Sequence, residues 1–118
     1  MTGSTGYHAG LAAEDIVAGA YTQRGRQVAG RRWRGQAGEV DLIVREGARV
    51  VFVEVKKSRT FDGAADRLSA RQMRRLCASA EEFVAGEPAG LLTEMRFDVA
   101  LVDAQGQCRI VENAFGEA

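Results

Sequence analysis

The run Arg49-Val50-Val51-Phe52-Val53-Glu54-Val55-Lys56 constrains this chain more than any other segment. Its apolar centre is short and mostly β-branched, which describes a strand covered on both faces better than a helix. Such a strand needs neighbours in a sheet and apolar cover on each side. The preceding segment, Gln36 to Arg45, alternates in character. Val40, Leu42 and Val44 fall on one face, and Glu39, Asp41 and Ile43 on the other. Glu46-Gly47-Ala48-Arg49 supplies the turn that makes the two a hairpin. Further strands are expected at Gln27–Arg34, Arg96–Val102 and Gln107–Val111.

Two helical stripes supply the cover. In the first, from about Tyr7 to Gln23, Ala13, Ile16, Val17, Ala20 and Tyr21 recur at helical spacing, and Gly25 is the natural stop. After a loop expected over Thr60–Leu68, Ser69 and Gln72 have the spacing of a capping box. Met73, Leu76, Cys77, Ala80, Phe83 and Val84 then form the second stripe, which Gly86 and Pro88 end. The order αβββαββ predicts an α/β (α+β) layer, a mixed central sheet flanked by helices.

A chain of 118 residues is the size of one domain, 1–118, and can bury a core without staples. No apolar stretch approaches a membrane span, and Met1–Gly10 has neither a basic nor an apolar segment, so no membrane association and no signal peptide are expected. Cys77 and Cys108 lack metal-type spacing and read as reduced thiols of a cytoplasmic protein. With His8 the sole histidine, a His-based zinc site or a Ser-His-Asp triad is excluded as a working model.

Net charge is zero, which argues against a general nucleic-acid coat, but the basic residues are not evenly spread. Arg24, Arg26, Arg31, Arg32 and Arg34 lie in a stretch without acids, and Lys56, Lys57, Arg59, Arg67, Arg71, Arg74 and Arg75 follow the central strand. These are either solvated faces or phosphate contacts, and their nearly all-arginine make-up suits planar, bidentate phosphate recognition.

The chemistry-bearing constellation is Asp41 with Glu54 and Lys56. If Arg45 pairs with Val50 across a four-residue loop, Asp41 lies opposite Glu54 and Glu39 opposite Lys56; a two-residue loop at Glu46-Gly47 makes Asp41 a diagonal neighbour instead. Either way Asp41, Glu54 and Lys56 share a sheet face. Two carboxylates so close repel each other unless a cation lies between them. A hard ion such as Mg²⁺ is held in this way by one or two carboxylates with water and substrate phosphate, and it suits phosphodiester hydrolysis. Lys56 would add a compact positive charge beside the reacting phosphate. The competing reading is a surface salt bridge, Glu39–Lys56 or Glu54–Lys57. Against it stands the position of Glu54, which extends the most apolar run of the chain, where an unpaired carboxylate is costly.

Asp41 followed by Glu54-Val55-Lys56 resembles the PD-(D/E)xK nuclease pattern. The longer strings Gly38-Glu39-Val40-Asp41-Leu42-Ile43, Phe52-Val53-Glu54-Val55-Lys56 and Arg96-Phe97-Asp98-Val99 resemble the YraN-like family of bacterial proteins, itself similar to Holliday-junction-resolving endonucleases. The resemblance runs from about Gly6 to Phe115. It implies a restriction-endonuclease-like core, Mg²⁺ or Mn²⁺ at Asp41 and Glu54, branched DNA as substrate and, because a four-way junction needs two cuts, a homodimer. The family usually carries an acid in the first helix where this chain has Gly10. Glu14, one helical turn on, is the accessory candidate, although Glu14 and Asp15 read more simply as a solvated acidic pair. Lys57 stands where the family often has a small polar residue.

The reading that follows is a metal-dependent endonuclease with Asp41, Glu54 and Lys56 catalytic, Glu14 and Glu39 accessory, and Arg31, Arg32, Arg34, Lys57, Arg71 and Arg74 on the nucleic acid. The alternatives are a nuclease-fold module that binds nucleic acid with little or no catalysis, and a protein-interaction domain in which the cluster is only a polar network. Arg96–Asp98 reads as a structural ion pair and Trp33 as a core or edge-strand residue.

Overall fold

A computed structural model describes residues 2–57 and 69–114, with the side chains of the first helix described from residue 12. The elements are α1 (Thr2–Gln23), β1 (Gln27–Arg34), β2 (Glu39–Glu46), β3 (Arg49–Lys57), α2 (Ala70–Val84), a 3-10 turn (Gly90–Leu92), β4 (Met95–Val102) and β5 (Cys108–Val111). The αβββαββ order is the expected one. The expected loop at Thr60–Leu68 lies outside the described residues.

The five strands form one sheet in sequence order, β1-β2-β3-β4-β5. Among the described strands only β3 and β4 run parallel, and α2 lies between them in the chain, so it is the crossover helix that a parallel pair requires. The other pairings are antiparallel. The sheet is therefore mixed, as expected of a restriction-endonuclease-like core.

The apolar run of β3 is the centre of the fold. Val50, Val51, Phe52 and Val53 have no exposed surface. Val51 and Val53 join Leu42, Val44, Ala100 and Val102 beneath Ala13, Val17 and Tyr21 of α1. Val50 and Phe52 join Leu76, Ala80 and Val84 of α2. Each helix thus covers one face of the sheet. Helix α2 opens on the capping box anticipated from the sequence: Ser69 Oγ accepts from Gln72 N at 3.1 Å, and Gln72 Oε1 accepts from Ser69 N at 2.8 Å. Helix α1 stops at Gly25, whose φ of +80° only glycine adopts readily, and Tyr21 O accepts the amides of both Arg24 and Arg26.

Several sequence expectations need correction. Helix α1 extends back to Thr2 rather than starting near Tyr7. Strand β2 begins at Glu39, not Gln36, because Gly35 N donates to Gly38 O and Gln36 N to Glu82 of α2, which closes residues 35–38 into a turn. The β2–β3 turn is Gly47-Ala48, with Glu46 paired to Arg49 and Arg45 to Val50. The strict alternation read for β2 also fails. Val40 packs with Ile43 on the α2 side, whereas Leu42 and Val44 pack on the α1 side. The change of face falls at Asp41. In β1 the register runs from Arg31↔Leu42 to Trp33↔Val40, so Arg32 stands across from Asp41, and Arg32 carries φ +50°. A left-handed residue in an edge strand re-aims the chain there. It turns Trp33 inward onto Phe83 of α2, the edge-strand packing role expected for it.

Candidate functional site

Asp41 and Glu54 come together because the β2–β3 register keeps Leu42 opposite Val53, and one further step sets Asp41 opposite Glu54. The strands part at this step. In place of a ladder bond, the amide of Val55 donates to Asp41 Oδ2 at 2.9 Å. That bond fixes one carboxylate oxygen, and the change of strand face frees the rest of the side chain from the regular pleat.

Glu54 lies on the α2 face, following Phe52. It is 7% exposed, and its Oε1 has no hydrogen-bond partner. Lys56 Nζ stands 3.7 Å from Glu54 Oε2, and Arg75 Nη2 of α2 stands 4.0 Å from Oε1. Both are ion-pair distances too long for hydrogen bonds. Burial, and next the charge of Asp41, push the Glu54 carboxyl up to about 7, against the weaker pull of Lys56 and Arg75. Burial also raises Asp41, the Val55 amide opposes that, and the charges of Glu14 and Glu39 add to it. Buried Glu54 and half-buried Asp41 therefore share one electrostatic neighbourhood in which negative charge is under-compensated.

Glu14 is the principal correction to the sequence reading. It is not part of a solvated acidic pair. It is 6% exposed and accepts from Arg32 Nε at 2.8 Å, whereas its neighbour Asp15 is exposed and accepts from Arg31 at 2.6 Å. The burial follows from helical geometry: Glu14 sits beside Ala13 and one turn before Val17 and Ala18, all packed toward the sheet. Because Arg32 stands across from Asp41, the Glu14–Arg32 pair lies next to the Asp41 carboxylate. Glu39 is less intimate. It pairs loosely with Arg34 at 3.8 Å at the start of β2 and reaches Asp41 only through its charge. Among the described residues, no group of three or more His, Cys, Asp or Glu side chains is arranged to hold a metal ion. The environment of Gly10 lies outside them.

The basic candidates divide in two. Arg31, Arg32 and Arg34 are engaged by Asp15, Glu14 and Glu39. Lys57, Arg71 and Arg74 are exposed on the end of β3 and the outer face of α2. The residue the sequence did not single out is Arg75. Its stem crosses Gly38, where a side chain is excluded twice over: φ is +146°, and a Cβ would fall 2.7 Å from Arg75 Cδ. The signal was present in the sequence as a glycine directly before the Glu39–Asp41 strand, but nothing in the residue pattern connects it to α2.

Arg96 and Asp98 form the structural pair expected of them. Asp98 is 1% exposed and accepts from Arg96 Nε and Nη2, Tyr21 Oη and the Asn113 amide at 2.7–3.1 Å, while Arg96 also binds Glu46.

An α-covered mixed sheet with a paired, buried carboxylate cluster at the parting of two central strands is the class of molecule this geometry defines. Comparison with known proteins agrees at the level of family. The model of "Uncharacterised protein family UPF0102" matches residues 13–102, and the chain belongs to that family, which is the YraN-like family that its sequence strings resemble. A UPF0102 protein of Cereibacter sphaeroides strain KD131 is 61% identical over 98% of both chains. One of Ruegeria pomeroyi is 60% identical over 97% of this chain and 93% of its own, and one of Roseobacter denitrificans 57% identical over 98% and 89%. No helix among the described residues is long and apolar enough to cross a membrane.

Proposed function

We propose that this protein is a cytoplasmic, metal-dependent endonuclease that hydrolyses phosphodiester bonds in structured or branched DNA, acting as a single nuclease-like domain and as a homodimer on four-way junctions. The observation that carries the reading is the buried, unpartnered Oε1 of Glu54 beside Asp41, with only ion pairs of 3.7 and 4.0 Å to offset the charge. These residues fit a hard cation of the Mg²⁺ or Mn²⁺ kind, which accepts one or two carboxylates and leaves the remaining positions to water and phosphate. They do not fit a closed cage made of protein alone. When bound, the ion would supply positive charge at the scissile phosphate and favour a nucleophilic water.

The chain's own residues do the rest. Asp41, anchored by the Val55 amide, and Glu54, anchored by its strand, would hold the cation. Lys56 emerges two residues beyond Glu54 on the same face and brings its ammonium to the charge that develops on the phosphate. Glu14 presents a third acid from α1, neutralised by Arg32. Lys57, Arg71 and Arg74 line the approach with exposed positive charge for the DNA backbone.

A second reading, a nuclease-fold module that binds nucleic acid with weak or no catalysis, is favoured by one observation: the third acid available near the pair, Glu14, is already held by Arg32 at 2.8 Å. Calorimetry with Mn²⁺ on wild type and Asp41→Ala, followed by cleavage of a four-way junction, separates the possibilities. Mn²⁺ binding that is lost in the variant, with metal-dependent cleavage, supports the enzyme. Equal binding by both proteins removes the site. Binding without cleavage leaves the module.

A further inference from the structure

Arg75 and Arg96 are both arginines beside a buried carboxylate, yet they are used in opposite ways. The Arg96 guanidinium is consumed by hydrogen bonds of 2.9–3.3 Å to Asp98 and Glu46, and its side chain is 12% exposed. Arg75 makes no hydrogen bond among the described residues. Its Nε is buried without a partner, its Nη2 stops 4.0 Å short of Glu54 Oε1, and its side chain is 39% exposed.

The position of Arg75 is nonetheless firmly built. Its stem lies on Gly38, and one helical turn on, Ser79 Oγ reaches Gly38 O at 3.4 Å. Glu82 accepts from Gln36 N at 2.9 Å. Helix α2 thus grips the turn that leads into Asp41 at three successive levels, and Arg75 is the level nearest the site. A guanidinium held this way, with donors left unused, is prepared for an acceptor that the protein does not provide.

The same two side chains carry both orphaned atoms, and where they approach, Arg75 Nη2 stays 4.0 Å from Glu54 Oε1, too far for a hydrogen bond. Glu54 Oε1 lacks a hydrogen-bond donor, and Arg75 Nε–H lacks an acceptor. A cation at Glu54 would supply the missing positive charge, and an anionic oxygen on that cation would meet the exposed part of the Arg75 guanidinium, whose side chain is 39% exposed. We propose that Arg75 binds substrate, donating from its guanidinium to a non-bridging oxygen of the DNA phosphate that sits on the Asp41–Glu54 cation. This rests on the reading of Asp41 and Glu54 as a cation site and adds the group that recognises the anion there. Arginine suits the role because its planar fork meets phosphate oxygens pairwise, and its charge partly offsets Glu54 until the cation arrives.

The test uses Arg75→Met, which keeps the stem that packs on Gly38, and Arg75→Lys, which keeps the charge but not the fork. Two measurements are made on each: Mn²⁺ binding without DNA, by calorimetry, and binding of a four-way junction in Ca²⁺ across a salt series. Arg75→Met should bind Mn²⁺ as tightly as wild type or a few-fold tighter, because a positive charge has been removed beside the site. It should bind the junction about tenfold to 100-fold more weakly, the loss expected for a charge-assisted hydrogen bond, with the salt slope reduced by about one. Arg75→Lys should restore the slope and only part of the affinity. Junction binding by Arg75→Met that equals wild type overturns the proposal, as does parallel loss of Mn²⁺ and junction binding in both variants, which would make Arg75 a structural support. Wild type that binds no Mn²⁺ overturns the cation site itself, an outcome the DNA-free titration reads separately.

Discussion

Glu54→Gln is the substitution that most directly exposes what the site costs the fold. In the folded protein the Glu54 carboxyl is raised from 4.5 to about 7, first by burial and then by Asp41. The folded state therefore holds this proton more tightly than the unfolded chain does. Between these two values the folded form binds more protons, so stability falls as pH rises. The contribution is intact below about pH 4.5 and is lost as pH climbs through 7. A shift of this size corresponds to at most about 3 kcal/mol, and the 9% exposure of the side chain leaves little solvent screening to discount. Asp41, also raised, adds in the same direction. A neutral glutamine removes the Glu54 share. Without metal, Glu54→Gln is expected to melt at most about 9–15 °C above wild type at pH 8 and only about 2–4 °C above it at pH 5, taking roughly 3–5 °C per kcal/mol for a domain of this size. Calorimetric melts in EDTA at half-unit pH steps read both curves. Mn²⁺ at about 100 times its dissociation constant should return about 2.7 kcal/mol to wild type and nothing to the variant. If the variant is less stable than wild type at pH 8, or the two curves run parallel from pH 5 to 8, then Lys56 and Arg75 compensate Glu54 fully and the charge imbalance does not exist.

Three further outcomes are expected. Asp98→Asn removes a fully buried carboxylate from the Arg96 and Tyr21 hydroxyl network and should cost about 3 kcal/mol in urea unfolding, with Mn²⁺ binding by the folded fraction unchanged. Reversing Arg71 and Arg74 to Glu should weaken junction binding and lower the salt slope by about two; a slope unchanged would assign them to plain solvated surface. Wild-type cleavage of a four-way junction should be slow and Mn²⁺-favoured and should vanish in Lys56→Ala. Gly10→Glu should raise the rate, and a rate unmoved by Gly10→Glu but lowered by Glu14→Gln would hand the part of the first-helix acid to Glu14.

The strands were legible because their period and composition are local properties. The apolar run of β3 and the capping box of α2 are each written in adjacent residues, and the hairpin register that sets Asp41 against Glu54 follows from counting. What could not be read is what depends on a strand leaving its ideal geometry. Val40 looked like a member of the Leu42–Val44 face because alternation assumes an unbroken pleat, and neither the change of face at Asp41 nor the left-handed Arg32 across from it carries a sequence mark. Glu14 looked solvated because an acid next to another acid on a helix usually is. The helix face buries it, and that burial is made tolerable by Arg32, which arrives from a strand 18 residues away to pair with it. Arg75 was hidden for a similar reason: among several arginines, only contact with Gly38 selects the one that reaches the site.

Among the described residues the sheet carries two carboxylate clusters, around Asp98 and around Glu54, and the difference between them is the strongest physical argument for function. Around Asp98, every polar atom has a partner at hydrogen-bond distance, and the negative charge is met by a guanidinium that also binds Glu46. That is how a protein of this size makes a buried acid tolerable when the acid only has to hold strands together. Around Glu54, β3 and α2 each provide one cation, Lys56 and Arg75, and neither comes to hydrogen-bond distance. The sheet also adds Asp41, whose own amide donor comes at the expense of the ladder between β2 and β3. A fold that satisfies Asp98 so completely has the means to satisfy Glu54. Leaving Glu54 short of positive charge, at a cost of some kcal/mol near neutral pH, is intelligible if the missing charge is supplied from outside the chain and leaves again with the product.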